Sequence, residues 1–248
     1  MRKVYINDFN VPNLNKNVAC IGYFDGVHRG HQALINFTKY LSSINDVNSM
    51  VICFDPDPID VISADDKHLH LLSKKDRFDS FKEVGIDTVC IIKFNKELMN
   101  LSPVEFINKF LLKLNIDTLI CGYDFHFGYL GKGDYKLLSK YINTVVIEQI
   151  SYYGKKISST RIRNAVYEGN FKLASKLLGY DYSLTLKVIN IAVKGRKLLV
   201  EAICKDKDLI IPKDGNYNGY YIRNRHFYFN DVKDISKNDE ILLVFKNE

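Results

Sequence analysis

The chain has 248 residues, of which 46% are hydrophobic, 12% aromatic and 26% charged, and its formal net charge is +6. This ordinary globular composition allows one sizeable core or a main domain with a smaller companion. It argues against a membrane protein, because no segment approaches the roughly 18 consecutive apolar residues of a membrane span. The amino-terminal MRKVYINDFN also lacks the apolar stretch of a secretory signal. We therefore expect a cytoplasmic protein.

The cysteines and the charge do not indicate a metal centre or a nucleic-acid surface. No CxxC pair occurs, and four of the five cysteines lie in short apolar runs, which is typical of small core residues of strands. The lysines are scattered among acids, as in KKDRFDSFKE, whereas nucleic-acid binding needs clustered basic residues. We expect no nucleic-acid partner and no metal ligated by the protein alone. A diffuse positive charge suits small polyanions such as nucleotides.

The first 180 residues alternate between apolar runs and stretches with helical spacing. The apolar runs predict strands near 18–24, 49–54, 87–94, 118–123 and 144–150. The helical spacing predicts helices near 30–43, 74–84, 102–114, 134–141, 160–167 and 170–178. Ser102-Pro103 is a typical helix start, and Gly85 is placed to end a helix. This alternation predicts an α/β fold with a doubly wound parallel sheet.

The pattern changes after Gly179. Residues 182–248 contain short alternating strands separated by turn-forming segments such as KDGN and SKND. We expect two domains, 1–180 and 181–248, the second a small and mostly antiparallel β domain.

Three polar and aromatic segments follow predicted strands: GYFDGVHRGHQALI, Phe54-Asp55-Pro56-Asp57-Pro58 and GYDFHFGYLGKGD. Open parallel sheets bind ligands at the carboxyl ends of their strands, beside the point where strand order reverses. We therefore expect these segments to converge on one rim of the sheet.

His28 and His31 stand three residues apart at the expected start of a helix. Residues at this spacing share a helix face, and a helix start offers unpaired N–H groups to phosphate. Gly26 and Gly30 leave room for a phosphate chain to approach the backbone. Two imidazoles there could stabilise a phosphoryl group in transfer. Metal ligation and incidental placement are the alternatives, and we favour the phosphate role.

The segment ISSTRIR, from Ile157 to Arg163, predicts a second helix start. Hydroxyls at such a start are ordinary caps, but arginines inside the first turn oppose the helix dipole. A bound anion would remove the conflict, and Arg163 could then hold a leaving pyrophosphate.

These segments resemble the HxGH nucleotidyltransferase superfamily. More closely, they resemble the adenylyltransferase module of bacterial bifunctional riboflavin kinase/FAD synthetase. The resemblance covers about residues 15–180 in order. It comprises the run Gly22–Ile35, the Phe54-x-Pro56-x-Pro58 element, GYDFHFG, SSTRIR, Glu168-Gly169 and LLG.

The resemblance implies a Rossmann-like fold, ATP and FMN as substrates, and Mg²⁺ as the cofactor. It implies catalytic roles for His28, His31 and Arg163. The ATP-binding residues it implies are Gly22, Tyr23, Phe24, Asp25, Gly26, Gly30, Asp124, Ser158, Ser159 and Thr160. The flavin-binding residues it implies are Phe54, Pro56, Pro58, Phe125 and Phe127. Core packing is the equally weighted alternative for the three phenylalanines.

Two positions depart from the family pattern. Asp57 stands where the family commonly has His, and His126 where it often has Arg, so both changes lower the positive charge near a site for anions. The stretch 181–248 also lacks the PTAN motif of the family's longer kinase barrel. We expect FAD synthesis from ATP and FMN without riboflavin phosphorylation. The alternatives are another phosphorylated acceptor and a non-catalytic flavin- or nucleotide-binding protein. The oligomeric state is not predicted.

Overall fold

A computed structural model describes residues 1–7, 10–62, 68–194, 197–230, 232 and 234–246. The chain forms two compact units. The first comprises Met1–His68 and Lys74–Ile157, and the second comprises Leu69–Ser73 and Ser158–Glu248. The helices predicted at 160–167 and 170–178 therefore group with the second unit in space. A functional boundary near residue 180 stays a prediction.

The first unit is built on a six-stranded sheet in the order β1-β4-β3-β2-β5-β6, in which every neighbouring pair is parallel. Its strands are β1 (Arg2–Ile6), β2 (Asn17–Ile21), β3 (Asn48–Asp55), β4 (Thr88–Lys93), β5 (Ile116–Gly122) and β6 (Thr144–Ile147). The predicted doubly wound sheet is confirmed. The sequence interpretation missed β1, which pairs with β4 at the edge of the sheet.

The helices of the first unit are α1 (Arg29–Ile44), α2 (Pro58–Ile62), α3 (Lys74–Glu83), α4 (Lys96–Met99), α5 (Pro103–Lys109) and α6 (Tyr135–Leu138). Ser102 caps α5 in a reciprocal capping box with Glu105, and Pro103 occupies the first turn. Gly85, with φ of 82°, follows the end of α3 as expected. The helix predicted at 102–114 ends early, because Phe110 leaves helical geometry before a 3₁₀ turn.

The central strands are buried on both faces, which explains their continuous apolar runs. Cys20, Cys53, Cys90 and Cys121 are buried within them, as predicted. Burial raises the pKa of the Cys20 and Cys53 thiols to about 12, so neither is available as a thiolate at neutral pH. These cysteines are packing residues.

A short hairpin closes the first unit, formed by β7 (Ser151–Tyr152) and β8 (Lys155–Lys156). Its two turn residues, Tyr153 and Gly154, have φ of 51° and 68°. Two-residue hairpin turns favour positive φ at both positions, because the turn then matches the twist of the two strands. The hairpin sets the position of Lys156.

The second unit contains α7 (Ser159–Tyr167), α8 (Phe171–Leu178) and a six-stranded antiparallel sheet in the order β11-β12-β13-β10-β9-β14. Its strands are β9 (Ser183–Lys194), β10 (Lys197–Cys204), β11 (Gly215–Tyr217), β12 (Tyr220–Arg223), β13 (His226–Asn230) and β14 (Glu240–Val244). The predicted small antiparallel β domain is confirmed. Among the described residues, no helix is long and apolar enough to cross a membrane.

Candidate active site

The sheet of the first unit has its switch point between β2 and β5. From β2 the chain moves to β3 on one side, and it later returns to the other side of β2 with β5. Ligands of open α/β sheets bind at the carboxyl ends of the strands at such a point. Two segments leave these strand ends: residues 22–31, here called the histidine turn, and residues 122–134, here called the aromatic loop. The structure thus brings together two of the predicted site segments.

The histidine turn reverses the chain sharply. Phe24, Gly26 and Val27 have φ of 57°, 74° and 33°, respectively. The Phe24 ring is fully buried, and it packs edge-on against Phe81 of α3 and His31. This anchored ring holds the turn in place, so that α1 begins directly beyond the end of β2.

The rings of His28 and His31 are stacked, with centroids 3.7 Å apart and planes inclined by 13°. His28 is the N-cap of α1, and its Nδ1 accepts a hydrogen bond from the His31 backbone N–H at 3.4 Å. A neutral His28 ring therefore carries its proton on Nε2. The predicted sharing of one helix face is confirmed for these two residues.

Both imidazoles are neutral at physiological pH. Burial lowers the pKa of His28 to about 4. The pKa of His31 falls well below 6.5, first through burial and then through the charges of His28 and Arg77. The Nδ1 atom of His31 is buried without a hydrogen-bond partner among the described residues. The pair therefore offers uncharged N–H donors at the start of α1.

Two glycines lie close to these groups. A Cβ atom on Gly30 would lie 3.1 Å from Cε1 of His28, so the ring would have to shift by a few tenths of an ångström. A Cβ atom on Gly122 would lie 3.0 Å from Oδ1 of Asp124. The glycines thus leave room for the side chains of His28 and Asp124.

Asp124 lies exposed in the aromatic loop, where its carboxylate pairs with Lys156 of the β7–β8 hairpin. Lys156 also lies over the Tyr123 ring, 5.5 Å from its centroid. Burial opposes the charge of Lys156, but the hydrogen bond and charge of Asp124 raise its pKa overall. The charge of Lys156 lowers the pKa of His28 and that of Asp124 raises it, so both groups act on the histidine turn. Lys156 was not among the predicted site residues.

The aromatic loop is held by its own backbone and by one buried ring. Phe127 and Gly133 exchange hydrogen bonds at 3.1 Å and 2.9 Å. A Cβ atom on Gly133 would lie 2.7 Å from the Phe127 ring, so only glycine fits opposite it. His126 is exposed, and its Nδ1 lies 3.1 Å from the Gly131 carbonyl oxygen.

The predicted flavin residues differ in exposure. Phe54 and Phe127 are 4% and 7% exposed and belong to the hydrophobic core. Phe125 is half-buried and stacks on Phe127 at 5.8 Å. Pro56 is exposed after a cis peptide bond, whereas Pro58 is buried at the start of α2. Burial favours the packing interpretation for Phe54 and Phe127, and it leaves Phe125 and Pro56 as the accessible candidates.

Asp57 has a role that the sequence interpretation missed. Its carboxylate accepts a hydrogen bond from Nη1 of Arg77 at 2.7 Å, and both side chains are buried. The Arg77 cation balances the Asp57 carboxylate, and the effect of Asp57 on the charge near a bound anion stays a prediction. Arg77 lies 20 residues further along the chain, in α3. The sequence feature that could have indicated its burial is its position beside Phe78 and near Phe81, the two apolar residues of that helix.

The predicted ISSTRIR segment lies in the second unit. Ser158 is the N-cap of α7 and accepts a hydrogen bond from the Arg161 backbone N–H at 3.4 Å. Nη2 of Arg163 donates to the Thr160 hydroxyl at 3.3 Å. The predicted cap is confirmed, and the arginines lie in the first two turns of the helix. The roles of these residues toward ATP stay predictions, as do those of Ser159 and Thr160.

The sequence matches known proteins along most of its length. The FAD synthetase family model matches residues 11–161. The bifunctional riboflavin kinase/FMN adenylyltransferase of Listeria monocytogenes is 32% identical over 83% of this chain and 67% of its own. The relatives of that name from Bacillus subtilis and Escherichia coli K12 are each 31% identical, over 82% and 73% of this chain and 66% and 60% of theirs. The chain thus spans about two thirds of these relatives or less.

A solved structure has the same fold. The macrolide-efflux protein from Streptococcus pneumoniae superposes with a TM-score of 0.79, covering 98% of this chain and 89% of that one. Only 22% of its residues are identical, so the likeness concerns the fold alone.

Proposed function

Because this chain belongs to the FAD synthetase family, we propose that it transfers the adenylyl group of ATP to FMN, giving FAD and pyrophosphate. The stacked pair of His28 and His31, at the start of α1 and at the switch point of the sheet, carries the proposal. A helix start supplies backbone donors to phosphate, and the imidazoles add donors beside them.

The reaction needs no covalent intermediate on the protein. An oxygen of the FMN phosphate forms a bond to the α-phosphorus of ATP, and the bond from that phosphorus to the β-bridging oxygen breaks. Pyrophosphate leaves with the bonding electron pair. Catalysis of such a step consists of positioning and of stabilising charge on the phosphate oxygens in transfer.

The imidazoles suit this task because they are neutral. Uncharged N–H donors are already in place, so they need no proton uptake at neutral pH. The Nε2–H of His28 is fixed by the contact at its Nδ1. Fixed donors of this kind act most strongly on oxygens that gain charge in the transition state.

Lys156 and Asp124 serve the nucleotide in this proposal. Lys156 supplies a cation next to the histidine turn, and Asp124 supplies a solvent-exposed carboxylate that is compatible with a hydrated divalent ion. Asp124 would hold a Mg²⁺ ion that comes with ATP, and the ion would offset the charge of the phosphates. A nucleotide could displace the Lys156–Asp124 pair, so that Lys156 binds phosphate instead.

The remaining assignments rest on the resemblance. We propose that Phe125 and Pro56 contact the flavin and that Arg163 holds the departing pyrophosphate. We further propose that the chain does not phosphorylate riboflavin, since residues 181–248 contain no PTAN motif. We also propose that the protein is cytoplasmic and has no nucleic-acid partner.

Separation of flavins after incubation tests the function. Purified protein with Mg²⁺ and ATP should convert FMN into FAD, with an equal amount of pyrophosphate and no product when EDTA is present. Riboflavin in place of FMN should remain unchanged. A folded protein that leaves FMN unchanged would contradict the proposal, and FMN formed from riboflavin would contradict its monofunctional part.

A further inference from the structure

Arg77 joins three segments at the back of the histidine turn. Its side chain projects from α3, and the residue is only 6% exposed. Its Nη1 donates to the Tyr23 carbonyl oxygen at 3.0 Å and to Oδ1 of Asp57 at 2.7 Å. Tyr23 belongs to the histidine turn, and Asp57 belongs to the loop after β3. One nitrogen atom thus links two of the loops at the strand ends.

We propose that Arg77 is a positioning residue for the adenylyl transfer, holding the histidine turn through the Tyr23 carbonyl, with Asp57 as the counter-ion that keeps the cation buried there. The inference rests on the proposed function for its kinetic readout. The contacts themselves belong to the first unit and do not depend on that function.

A second contact from α3 acts on the same turn. Phe81 packs on the Phe24 ring at 5.4 Å, and Phe24 packs on His31 at 5.3 Å. Phe24 directly follows the carbonyl that Arg77 binds. The helix α3 therefore fixes the turn by a polar contact at Tyr23 and an apolar contact at Phe24, and His31 packs against the Phe24 ring.

The Arg77 cation also acts on the His31 imidazole. The groups that act on the His31 imidazole are His28 and Arg77, and each lowers its pKa in addition to burial. Burial lowers the pKa of Arg77, but the charge and hydrogen bond of Asp57, with a smaller effect of Asp25 in the same turn, raise it overall. The ion pair is neutral as a whole, but its positive end is directed toward the turn that carries the histidines.

Stability alone does not account for such a pair. Buried ion pairs often contribute no more than apolar residues of similar volume, because the desolvation of both charges offsets their attraction. The Nε atom of Arg77 is moreover buried without a hydrogen-bond partner among the described residues. A buried cation held against a carbonyl of the histidine turn fits a positioning role.

The test uses a neutral replacement of the whole pair, Asp57→Asn with Arg77→Gln, so that no unpaired charge is left in the interior. The matched control is Lys75→Gln with Asp79→Asn, which removes an exposed ion pair of 2.6 Å from the same helix. The measurements are kcat and KM for FAD formation and the titration of the His31 imidazole by NMR.

We expect the Asp57/Arg77 variant to remain folded, to lose about ten- to a hundredfold in kcat with little change in KM for FMN, and to show a raised His31 pKa. The control variant should match the unmodified protein in all three measurements. A folded Asp57/Arg77 variant with unchanged kcat and unchanged His31 titration would overturn the proposal.

The variant Arg77→Lys tests the effect of the charge apart from that of the hydrogen bond. It also tests the proposal if the Asp57/Arg77 variant does not fold. A lysine ammonium ends one bond short of the Arg77 Nη1 position, so it keeps the cation but loses the Tyr23 carbonyl. We expect this variant to keep a low His31 pKa and to have a reduced kcat. A kcat equal to that of the unmodified protein would overturn the positioning role. If the unmodified protein makes no FAD, the proposed function fails, and the His31 titration alone decides this inference.

Discussion

The His28 and His31 rings lie face to face, with centroids 3.7 Å apart, and the Nδ1 of His28 accepts the backbone N–H of His31. Two protonated imidazoles could not share this position, because like charges at such a distance repel strongly. The stack therefore requires at least one neutral ring, and burial makes both neutral. The structure thus links the charge state of the site to its geometry.

Replacing His31 with alanine should lower kcat for FAD formation by about 10²–10³-fold, because one fixed transition-state donor is lost. The fold should persist, since the 16-residue helix α1 keeps its buried contacts at Leu34, Ile35 and Thr38. Steady-state kinetics and circular dichroism check both parts. His226→Ala in β13 is the control and should leave kcat unchanged. Near-normal kcat in His31→Ala would show that the histidine turn is wrongly assigned.

His28 should make the free energy of unfolding fall as the pH is lowered from about 6.5 to about 4. In that window the unfolded chain binds a proton at His28, whereas the folded chain, with its pKa of about 4, does not. Protons therefore favour the unfolded state, by on the order of 3 kcal/mol across the window. Urea unfolding at several pH values measures this slope.

The variant His28→Asn should show a shallower slope over the same pH range, and its curve should run parallel to that of the unmodified protein above pH 7. An unchanged slope between pH 6.5 and pH 4 would mean that His28 is not buried in its neutral form.

Gly128→Ala should destabilise the first unit more than Gly154→Ala does. Both glycines have left-handed φ, 73° and 68°, so both variants carry a similar backbone strain. A Cβ atom at Gly128 would also lie 2.7 Å from the Pro103 nitrogen, whereas nothing lies within 4 Å at Gly154. The difference should be about 1–3 kcal/mol. Equal losses in urea unfolding would mean that the aromatic loop does not pack on α5.

Phe127→Ala should mainly lower the free energy of unfolding, whereas Phe125→Ala should mainly weaken the use of FMN. Phe127 lies in the core, so its truncation should cost about 3–5 kcal/mol of unfolding free energy. Phe125 is only half-buried, and its truncation should raise KM for FMN with a smaller loss of stability. Thermal unfolding and FMN kinetics distinguish the two residues. An unchanged KM in Phe125→Ala would remove this residue from the flavin site.

The sequence predicted most of the architecture because local patterns determine it. The central strands are continuous apolar runs, and the helix starts at Ser102 and Ser158 carry their own caps. Strand β1 was missed because only two of its five residues are buried, so RKVYI has no such run. Its existence depends on pairing with β4, which is 86 residues away in register (Arg2 with Thr88).

The candidate site was predictable in its motifs but not in its supporting contacts. His28 and His31 stand in one short segment, so their spacing predicts their shared face. Arg77 and Lys156 lie in α3 and in the β7–β8 hairpin, and their partners Tyr23 and Asp124 are far from them in sequence, so local patterns do not show these contacts. The pairing of Asp57 with Arg77 was not predicted for the same reason, because the two residues lie in different elements and meet only in the fold.

The position of a phosphorus label tests the central claim most directly. ATP labelled at the α-phosphate, incubated with Mg²⁺, FMN and the protein, should transfer its label to FAD. ATP labelled at the γ-phosphate should yield labelled pyrophosphate and unlabelled FAD. Label from the γ-phosphate in a flavin product, or no labelled flavin from either ATP with folded protein, would contradict adenylyl transfer to FMN.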